Sequence, residues 1–387
     1  MALKQKLMTP GPTPVPPVVL AAMAQPVVHH RTAEFRSLLR RCLDRLAEVH
    51  RTARPVLLFG ASGTGAMEGA VANLLSPGDR VLVVSAGNFG ERWVKLAEAY
   101  GADVVPLHYE WGETPTADDV VAALADAGGA KAVYLTHSET STGVVADVSA
   151  IAAALADSGA LTVVDAISSL GAVPLDTDGA GLDVVVSGSQ KALMTPPGLA
   201  TTVVSERALA TSAEARSPRC YFDWRTTLDK LQGDAPVTPF TTPVSLVYGL
   251  DAALGLLLEE GLEATFDRHV RLGRACRAGV KAMGLELFSP DEDRSAVVTA
   301  IRMPDGVDAA DAIRIVREKH GITLEGGRGP LVGKIVRIGH IGYVDVFDVA
   351  AALTAFEQTV TELGGDVERG AAASAALEAY GGEAVRA

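Results

Sequence analysis

The segment DVVVSGSQKALMTPPG, from Asp183 to Gly198, places one lysine shortly after an apolar run. The valines at 184–186 predict a buried strand, and Lys191 follows it among small and polar residues, ahead of a Pro-Pro-Gly turn. A lysine in such a place is costly to bury unless its amine is neutral or covalently used. Lys191 is therefore either the centre of the chemistry or a surface lysine at a junction between strand and loop.

On both sides of Lys191, apolar runs rich in Val and Leu alternate with helical patterns. This alternation predicts an α/β fold with a mostly parallel sheet covered on both faces, in which ligands bind at the carboxyl ends of the strands. The predicted strands span residues 55–59, 80–85, 103–107, 132–136, 161–164, 184–186 and 199–204, and the main helices between and after them span 90–100, 116–125, 148–156 and 244–259. The polar and aromatic stretch at 212–234 predicts an irregular surface segment.

Asp165 stands at the tip of one of these strands, after LTVV at 161–164. Burial would raise the pKa of its carboxyl group and neutralise it unless a cation or several donors hold the charge. A protonated pyridine nitrogen is such a cation. A helix cap or a turn residue is the simpler interpretation of the same position.

A segment of small residues, GASGTGAMEGA from Gly60 to Ala70, runs from a predicted strand into a helix. Free backbone amides at a helix start, joined by the hydroxyls of Ser62 and Thr64, favour a phosphate site. The spacing fits neither the Walker pattern nor the dinucleotide pattern, so a nucleotide is not favoured. A tight turn without a ligand is the alternative.

Other polar and aromatic residues also follow predicted strands. Phe89, in the stretch GNFG, could stack on a planar cofactor or belong to the core. His137 and Thr140, in HSETSTG, follow the strand at 132–136. These positions share the edge of the sheet where Lys191 and Asp165 are expected.

The first 17 residues contain TPGPTP and predict an ordered arm, because prolines fix their own dihedral angles and exclude helix and central strand. A short helix near 18–24 follows the arm. His29, His30 and Arg31 then either present donors to an anionic substrate or form the polar entry of a long helix that ends near Val49.

The pattern changes after Gly261, where helices at 262–283, 309–320 and 346–363 alternate with strands at 295–302 and 334–338. This order predicts a smaller α+β domain. Arg337, inside an apolar strand, either grips a substrate carboxylate with its planar fork or forms an internal salt bridge. We therefore expect an arm at 1–17, a large domain at 18–260, a small domain at 261–363 and a weakly patterned tail at 364–387.

Of the 387 residues, 48% are hydrophobic and 21% are charged, which is typical of a globular protein. The 47 acidic against 34 basic residues argue against nucleic acid or an anionic membrane as a partner. No apolar run approaches the roughly 18 residues of a membrane span, and no secretory signal is visible. Three cysteines, Cys42, Cys220 and Cys276, lack metal-site spacing and favour a cytoplasmic location without a metal.

A covalent lysine, a carboxylate for a pyridine nitrogen, a phosphate cradle and a ring support are together what pyridoxal phosphate (PLP) requires of a protein. The sequence provides a candidate for each. PLP is therefore the predicted cofactor.

Together these segments resemble the class V family of PLP-dependent aminotransferases, of fold type I, and within it the branch of alanine-glyoxylate, serine-glyoxylate and serine-pyruvate aminotransferases. The likeness runs from TPGP at 9–12 to RIG at 337–339; SGSQKALMTPPG is its most specific part, with SGTGAMEG, NFGERW, THSETSTG and VDAISSLG in support. It implies a large domain with a seven-stranded, mostly parallel sheet, a smaller C-terminal α+β domain, and a homodimer with active sites at the interface.

The resemblance also implies a role for each matched residue. Lys191 would bind the cofactor as a Schiff base and move the substrate's α-proton, Asp165 would pair with the pyridine nitrogen, and Arg337 would bind the substrate α-carboxylate. The other implied cofactor contacts are Ser62, Gly63, Thr64 and Gln190 at the phosphate, Phe89 and Ile167 on the two ring faces, Thr140 near the ring, and Thr241 at the phosphate of the neighbouring subunit. A tyrosine that some relatives use nearby is Thr238 in this chain.

The implied reaction moves an amino group from a small L-amino acid, alanine or serine, to a 2-oxo acid such as glyoxylate or pyruvate. One alternative is an aminotransferase for phosphoserine, aspartate or ureidoglycine, in which His29, His30 and Arg31 would recognise the side chain. A PLP lyase or desulfurase is another, but no cysteine lies in a loop that matches a desulfurase. A non-catalytic PLP-binding protein would be expected to lose Lys191 or Arg337, and both are present.

Overall fold

The computed structural model describes residues 3–289 and 295–382 of the chain. The strands in chain order are β1 (Lys6–Leu7), β2 (Val56–Phe59), β3 (Arg80–Ser85), β4 (Asp103–His108), β5 (Ala132–Thr136), β6 (Ser138–Glu139), β7 (Val144–Val145), β8 (Leu161–Asp165), β9 (Val184–Gly188), β10 (Ala200–Val204), β11 (Val298–Arg302), β12 (Ile322–Thr323), β13 (Glu325–Gly326) and β14 (Ile335–Gly339). The helices are α1 (Pro17–Met23), α2 (Ala33–His50), α3 (Gly63–Leu74), α4 (Asn88–Ala99), α5 (Ala117–Asp126), α6 (Val148–Ala154), α7 (Glu206–Glu214), α8 (Trp224–Leu231), α9 (Val244–Glu260), α10 (Leu262–Ala282), α11 (Ala309–His320), α12 (Val346–Glu362) and α13 (Ala372–Gly381), with a 3-10 turn at Gly329–Leu331.

Seven strands form the main sheet, in the order β2-β10-β9-β8-β5-β3-β4. All neighbours are parallel except β10, which runs antiparallel to both β2 and β9. The predicted mostly parallel, seven-stranded sheet is therefore confirmed. Every strand but β10 points the same way, so the carboxyl ends of the other strands lie at one edge of the sheet. The predicted cofactor residues follow β2, β3, β5, β8 and β9 at this edge.

The sheet is covered on both faces because its strands are apolar at almost every position rather than at alternate ones. The residues of β8 and β9 are all buried. Trp93 of α4 is fully buried against Tyr134 of β5 and donates its indole N–H to the backbone oxygen of Leu135 at 3.3 Å. This packing holds the start of α4 over the carboxyl edge of the sheet.

A second, antiparallel sheet follows in the order β11-β14-β13, with the C-terminal helices packed against it. Its core is separate from that of the main sheet and includes Leu272, Val316, Ile338 and Phe356. This confirms the predicted α+β character of the C-terminal part. Since β14 is the central strand, its side chains are buried, and Arg337 with them.

The N-terminal arm joins the two parts of the chain. Its strand β1 pairs with β12 in parallel, and the amide of Gly339 donates to the backbone oxygen of Met8 at 2.7 Å. Further along the arm, the hydroxyl of Thr13 donates to the backbone oxygen of Lys191 at 2.9 Å. The arm thus lies between the lysine segment and the strand that carries Arg337.

The structure differs from the sequence prediction in helix α7 and the short strands β6, β7, β12 and β13, which were not predicted, and in three further segments. The irregular stretch expected at 212–234 contains α8, which begins where the side chain of Asp223 accepts a hydrogen bond from the amide of Thr226 at 2.7 Å. The weakly patterned tail forms α13, which packs on α10 and α12. The strand expected at 295–302 begins at Val298, and residues 290–294 lie outside the described part.

Within residues 3–289 and 295–382, no helix combines the length and the apolar character that crossing a membrane requires.

Candidate active site

Lys191 and Asp165 lie at the carboxyl ends of neighbouring parallel strands, β9 and β8. Asp165 is the last residue of β8 and is buried; its Oδ1 accepts a hydrogen bond from the amide of Ile167 at 2.8 Å. Lys191 follows β9 after a short turn and is 8% exposed. The parallel register brings an acid and an amine that are distant in sequence to the same edge of the sheet.

Burial brings the pKa values of Asp165 and Lys191 closer together. It raises the pKa of Asp165 to about 7, against the lowering effect of the Ile167 amide, and it lowers the pKa of Lys191 to about 8, against the raising effect of Asp165. Both groups therefore titrate near neutral pH. A cation placed beside Asp165 would restore its ordinary ionised state.

The arm covers the end of Lys191. Its Nζ donates a hydrogen bond to the backbone oxygen of Pro10 at 2.7 Å. A Cβ atom on Gly11 would overlap the lysine side chain, and the φ of +143° at Gly11 is itself unfavourable for other residues. The TPGP turn therefore needs its glycine to approach the amine.

The phosphate cradle is predicted at the start of α3. Ser62 precedes the helix without a side-chain cap to the first-turn amides, and a Cβ atom on Gly63 would lie 2.5 Å from Cδ1 of Ile167. The backbone of Gly188 lies close to both Gly63 and Gln190. A Cβ atom on Gly188 would be 3.3 Å from the Gly63 amide nitrogen and 3.0 Å from Oε1 of Gln190, so Gln190 lies next to the cradle.

That Oε1 atom is buried and has no hydrogen-bond partner among residues 3–289 and 295–382. A flip of the amide places an N–H₂ donor at the same point. Uncapped amides and an unpartnered amide group together fit the phosphate of PLP.

Phe89 is held in place by an acid that the sequence analysis did not single out. Glu139, 3% exposed, accepts hydrogen bonds from the amides of Phe89 at 2.8 Å, Gly90 at 3.2 Å and Ser141 at 3.2 Å. Burial raises the pKa of Glu139, although these donors oppose the shift. The signal in the sequence was an acid within THSETSTG, directly beside Thr140, but nothing in the sequence shows that it binds the start of α4.

Arg92 is a second residue that the sequence analysis missed. Its Nη1 donates to Oγ1 of Thr64 at 2.9 Å, and its guanidinium lies 4.8 Å from the centroid of the Phe89 ring. Burial lowers the pKa of Arg92, while the charge of Asp165 raises it. Arg92 thus connects the cradle to the ring support.

Arg337 reaches the site from β14 and is 1% exposed. Its Nε donates to the backbone oxygen of Gly326 and its Nη1 to that of Thr140, each at 2.8 Å. The nearest carboxylate oxygen, Oε1 of Glu325, is 3.5 Å from Nη2. Burial lowers the pKa of Arg337 to about 10. Because backbone carbonyls orient the guanidinium, and no carboxylate in the described part of the chain binds it at two close points, its fork is suited to a substrate carboxylate.

These contacts connect most of the predicted site residues: Ser62, Gly63, Thr64, Phe89, Thr140, Asp165, Ile167, Gln190, Lys191 and Arg337. Thr241 is not brought to Lys191 of its own chain. It is exposed and lies in a turn that packs on Gly60 and Tyr221. Thr238, beside it, donates its hydroxyl to the backbone oxygen of Phe240 at 2.6 Å.

The histidines of the sequence analysis lie elsewhere. His29 and His30 lie against each other in the loop before α2, with ring centroids 4.6 Å apart and the ring planes tilted by 37°. His137 lines a different cavity, beside Asp147 and Val173, and burial lowers its pKa to about 4, so that its imidazole is neutral near pH 7.

Residues 7–349 match the family model described as aminotransferase class-V. The chain is 42% identical to a protein of Anabaena cylindrica named soluble hydrogenase 42 kDa subunit, over 97% of this chain and 99% of the relative. It is 38% identical to an L-aspartate-glyoxylate aminotransferase of Paracoccus denitrificans, over 98% and 97% of the two chains, and 37% identical to a serine-glyoxylate aminotransferase of Methylorubrum extorquens, over 96% and 95%.

Among solved structures, the fold superimposes on ureidoglycine-glyoxylate aminotransferase of Bacillus subtilis with a TM-score of 0.92. The sequence identity is 32%, and the match covers 98% of this chain and 99% of the other.

Proposed function

Because the chain belongs to the class-V aminotransferase family, whose members depend on PLP, we propose that it moves the amino group of a small L-amino acid, alanine or serine, to a 2-oxo acid such as glyoxylate or pyruvate. The observation that carries this proposal is the placement of Lys191 and Asp165 at the ends of adjacent strands, with Arg337 reaching Thr140 at the same edge. An amine, a carboxylate and a carboxylate-binding arginine are the three protein groups that amino transfer between acids requires.

The residues present fit the cofactor. The first-turn amides of α3, with Ser62, Gly63, Thr64 and Gln190, would hold its phosphate; Phe89 and Ile167 would lie on the two faces of its ring, with Thr140 beside it; and Asp165 would face its protonated nitrogen. When bound, PLP stabilises negative charge at the α-carbon of the substrate.

Lys191 is suited to moving the substrate's α-proton. With a pKa of about 8, roughly a tenth of its amine is neutral at pH 7 and can accept a proton, and the ammonium form can return it. Burial under the Pro10 segment keeps water from the amine. Arg337 would fix the α-carboxylate and so present the α-hydrogen to Nζ.

The names of the relatives support glyoxylate as the acceptor more strongly than they support any one donor. Two of the relatives and the solved structure carry glyoxylate in their names, with serine, aspartate and ureidoglycine as the three donors. The relative named a hydrogenase subunit leaves the proposal unchanged, because the proposal depends on Lys191, Asp165 and Arg337 and not on the name of any one relative.

A half-reaction screen tests the proposal. PLP-loaded protein is mixed with alanine, serine or aspartate in turn, and conversion of the bound cofactor to its amine form is followed by absorption; glyoxylate, pyruvate and 2-oxoglutarate are then added to reverse it. We expect conversion by alanine or serine and reversal by glyoxylate or pyruvate. A protein that binds PLP but is converted by no amino acid would contradict the proposal.

We also propose that the chain forms a homodimer with shared sites. Thr241 lies next to Phe240, whose exposed ring stacks on that of Tyr221 with centroids 5.0 Å apart. Paired exposed aromatic rings beside a helix start favour a subunit contact. Sedimentation velocity is expected to give twice the chain mass, and Thr241→Ala is expected to weaken cofactor retention only in the dimer. A monomer that retains full activity would contradict this.

A further inference from the structure

Arg328 shares a carboxylate with Arg337. Oε1 of Glu325 is 3.2 Å from Nη2 of Arg328 and 3.5 Å from Nη2 of Arg337. The Arg328 side chain is 47% exposed, whereas that of Arg337 is 1% exposed. Two guanidinium groups, one at the surface and one buried, therefore meet at a single carboxylate oxygen.

The short loop that carries Arg328 is fixed on both sides. Arg337 donates through Nε and Nη2 to the backbone oxygen of Gly326, at 2.8 and 2.6 Å. On the other side, Gly329 adopts a φ of +51° against Trp111, whose ring would lie 3.0 Å from a Cβ atom there. The loop of Arg328 is thus held between Arg337 on one side and the ring of Trp111 on the other.

The charge of Arg328 acts on the interior of the site. After burial and the acidic neighbours of each group, the positive charge of Arg328 is a further cause that lowers the pKa of Lys191, Arg337 and Arg92. An exposed surface arginine would not affect three separate site cations unless it lay close to all of them.

The pair between Arg328 and Glu325 is weak enough to exchange. Both side chains are partly exposed, at 47% and 35%, and an ion pair of this kind contributes little because water solvates both charges. A substrate carboxylate that is already held by its other end can therefore displace Glu325 from Arg328 at small cost.

We infer that Arg328 binds the second carboxylate of a dicarboxylic substrate, an amino acid such as aspartate or glutamate or the matching 2-oxo acid, while Arg337 binds the α-carboxylate. In the absence of such a substrate, the carboxylate of Glu325 forms the ion pair with Arg328, and the second carboxylate of the substrate then takes the place of Glu325. This inference rests on the proposed function and widens its substrate class. Neutral donors leave the Arg328–Glu325 pair in place, and dicarboxylic donors break it.

The test compares Arg328→Gln with a matched control, Arg314→Gln, which removes an exposed arginine paired with Asp311 at 3.0 Å on α11. Binding of succinate and of propionate to the PLP-loaded protein is measured by calorimetry, and the half-reactions with aspartate and alanine are followed by absorption. We expect Arg328→Gln to lower the succinate-to-propionate and aspartate-to-alanine ratios on the order of tenfold, because a charge-assisted hydrogen bond is lost. Arg314→Gln should leave both ratios unchanged.

Glu325→Gln provides the opposite change. Removal of the competing carboxylate is expected to raise the preference for succinate over propionate. The inference is overturned if Arg328→Gln leaves the ratios unchanged or weakens both ligands equally. If the unaltered protein converts neither aspartate nor alanine, the proposed function fails, whereas the ratio of the two binding constants still decides the role of Arg328.

Discussion

Oε2 of Glu139 accepts a hydrogen bond from the backbone amide of Phe89 at 2.8 Å, so that a buried acid fixes the position of an aromatic ring at the start of α4. The same oxygen also accepts from Gly90 at 3.2 Å, and Ser141 binds the other carboxylate oxygen. The loop after β5 and the first turn of α4 are therefore joined by one side chain. These hydrogen bonds restrict the position of the Phe89 ring relative to Asp165 more than packing alone would.

Glu139→Gln should loosen the ring support. A glutamine side chain has one accepting oxygen, and its NH₂ group only donates, so it cannot replace both carboxylate oxygens of Glu139. At least one buried amide therefore loses its acceptor, at a cost of about 1–3 kcal/mol. We expect weaker PLP retention, on the order of tenfold, and a reduced circular dichroism signal of the bound cofactor. Glu98→Gln, on the exposed face of α4, is the control. Unchanged cofactor dichroism in Glu139→Gln would show that Phe89 does not depend on this acid.

Lys191→Ala should abolish turnover. We expect kcat to fall by a factor of at least about a thousand, because both the covalent attachment and the proton transfer are lost. Borohydride should fix PLP onto the peptide that contains Lys191 in the parent protein, as read by mass spectrometry, and Lys95→Ala on the exposed face of α4 should behave like the parent. Turnover of Lys191→Ala at the parent rate would disprove the assignment.

Arg337→Lys keeps the positive charge but loses the planar fork. Since the fork is oriented by the backbone oxygens of Gly326 and Thr140, a lysine cannot reproduce its two-point grip on a carboxylate. We expect KM for the amino donor to rise about tenfold or more, with a smaller change in kcat, in steady-state assays. Thermal unfolding checks that the buried strand tolerates the change. A KM equal to that of the parent would remove Arg337 from substrate binding.

Asp165 should destabilise the cofactor-free protein increasingly as pH rises from about 4 to about 7. Asp165 has a folded pKa of about 7 against an ordinary value of 3.8, so in this window the folded state holds a proton that the unfolded state has released. Asp165→Asn lacks this group. The free energy of unfolding of the parent, relative to Asp165→Asn, is therefore expected to fall across the window by an amount on the order of 3 kcal/mol.

Urea unfolding at several pH values measures that difference. Loading with PLP should reduce the fall, because a cation at the pyridine nitrogen stabilises the ionised carboxylate. Parallel stability profiles for the parent and Asp165→Asn would show that the burial of Asp165 does not control its protonation.

Much of the site's placement follows from the sequence, because its residues stand directly after apolar runs. A Val-rich run that is apolar at successive positions is typical of a parallel sheet, and the ends of parallel strands meet at one edge. Lys191, Asp165 and the Gly63 loop could therefore be placed together from local pattern alone. Their roles toward the cofactor remain predictions. The helix α8 was missed because its eight residues carry too short a pattern to outweigh their polar composition.

Only the tertiary structure decided which groups share a partner across the chain. Glu139 is an unremarked acid in the sequence, and it becomes a fixed support because β5 ends beside the first turn of α4. Arg328 and Arg337 become a pair because a turn brings both to one oxygen of Glu325, and Lys191 meets the carbonyl of Pro10 because the arm crosses between two sheets. Apolar periodicity along the chain determines secondary structure, whereas hydrogen bonds and charge interactions depend on distances through space, which only packing sets.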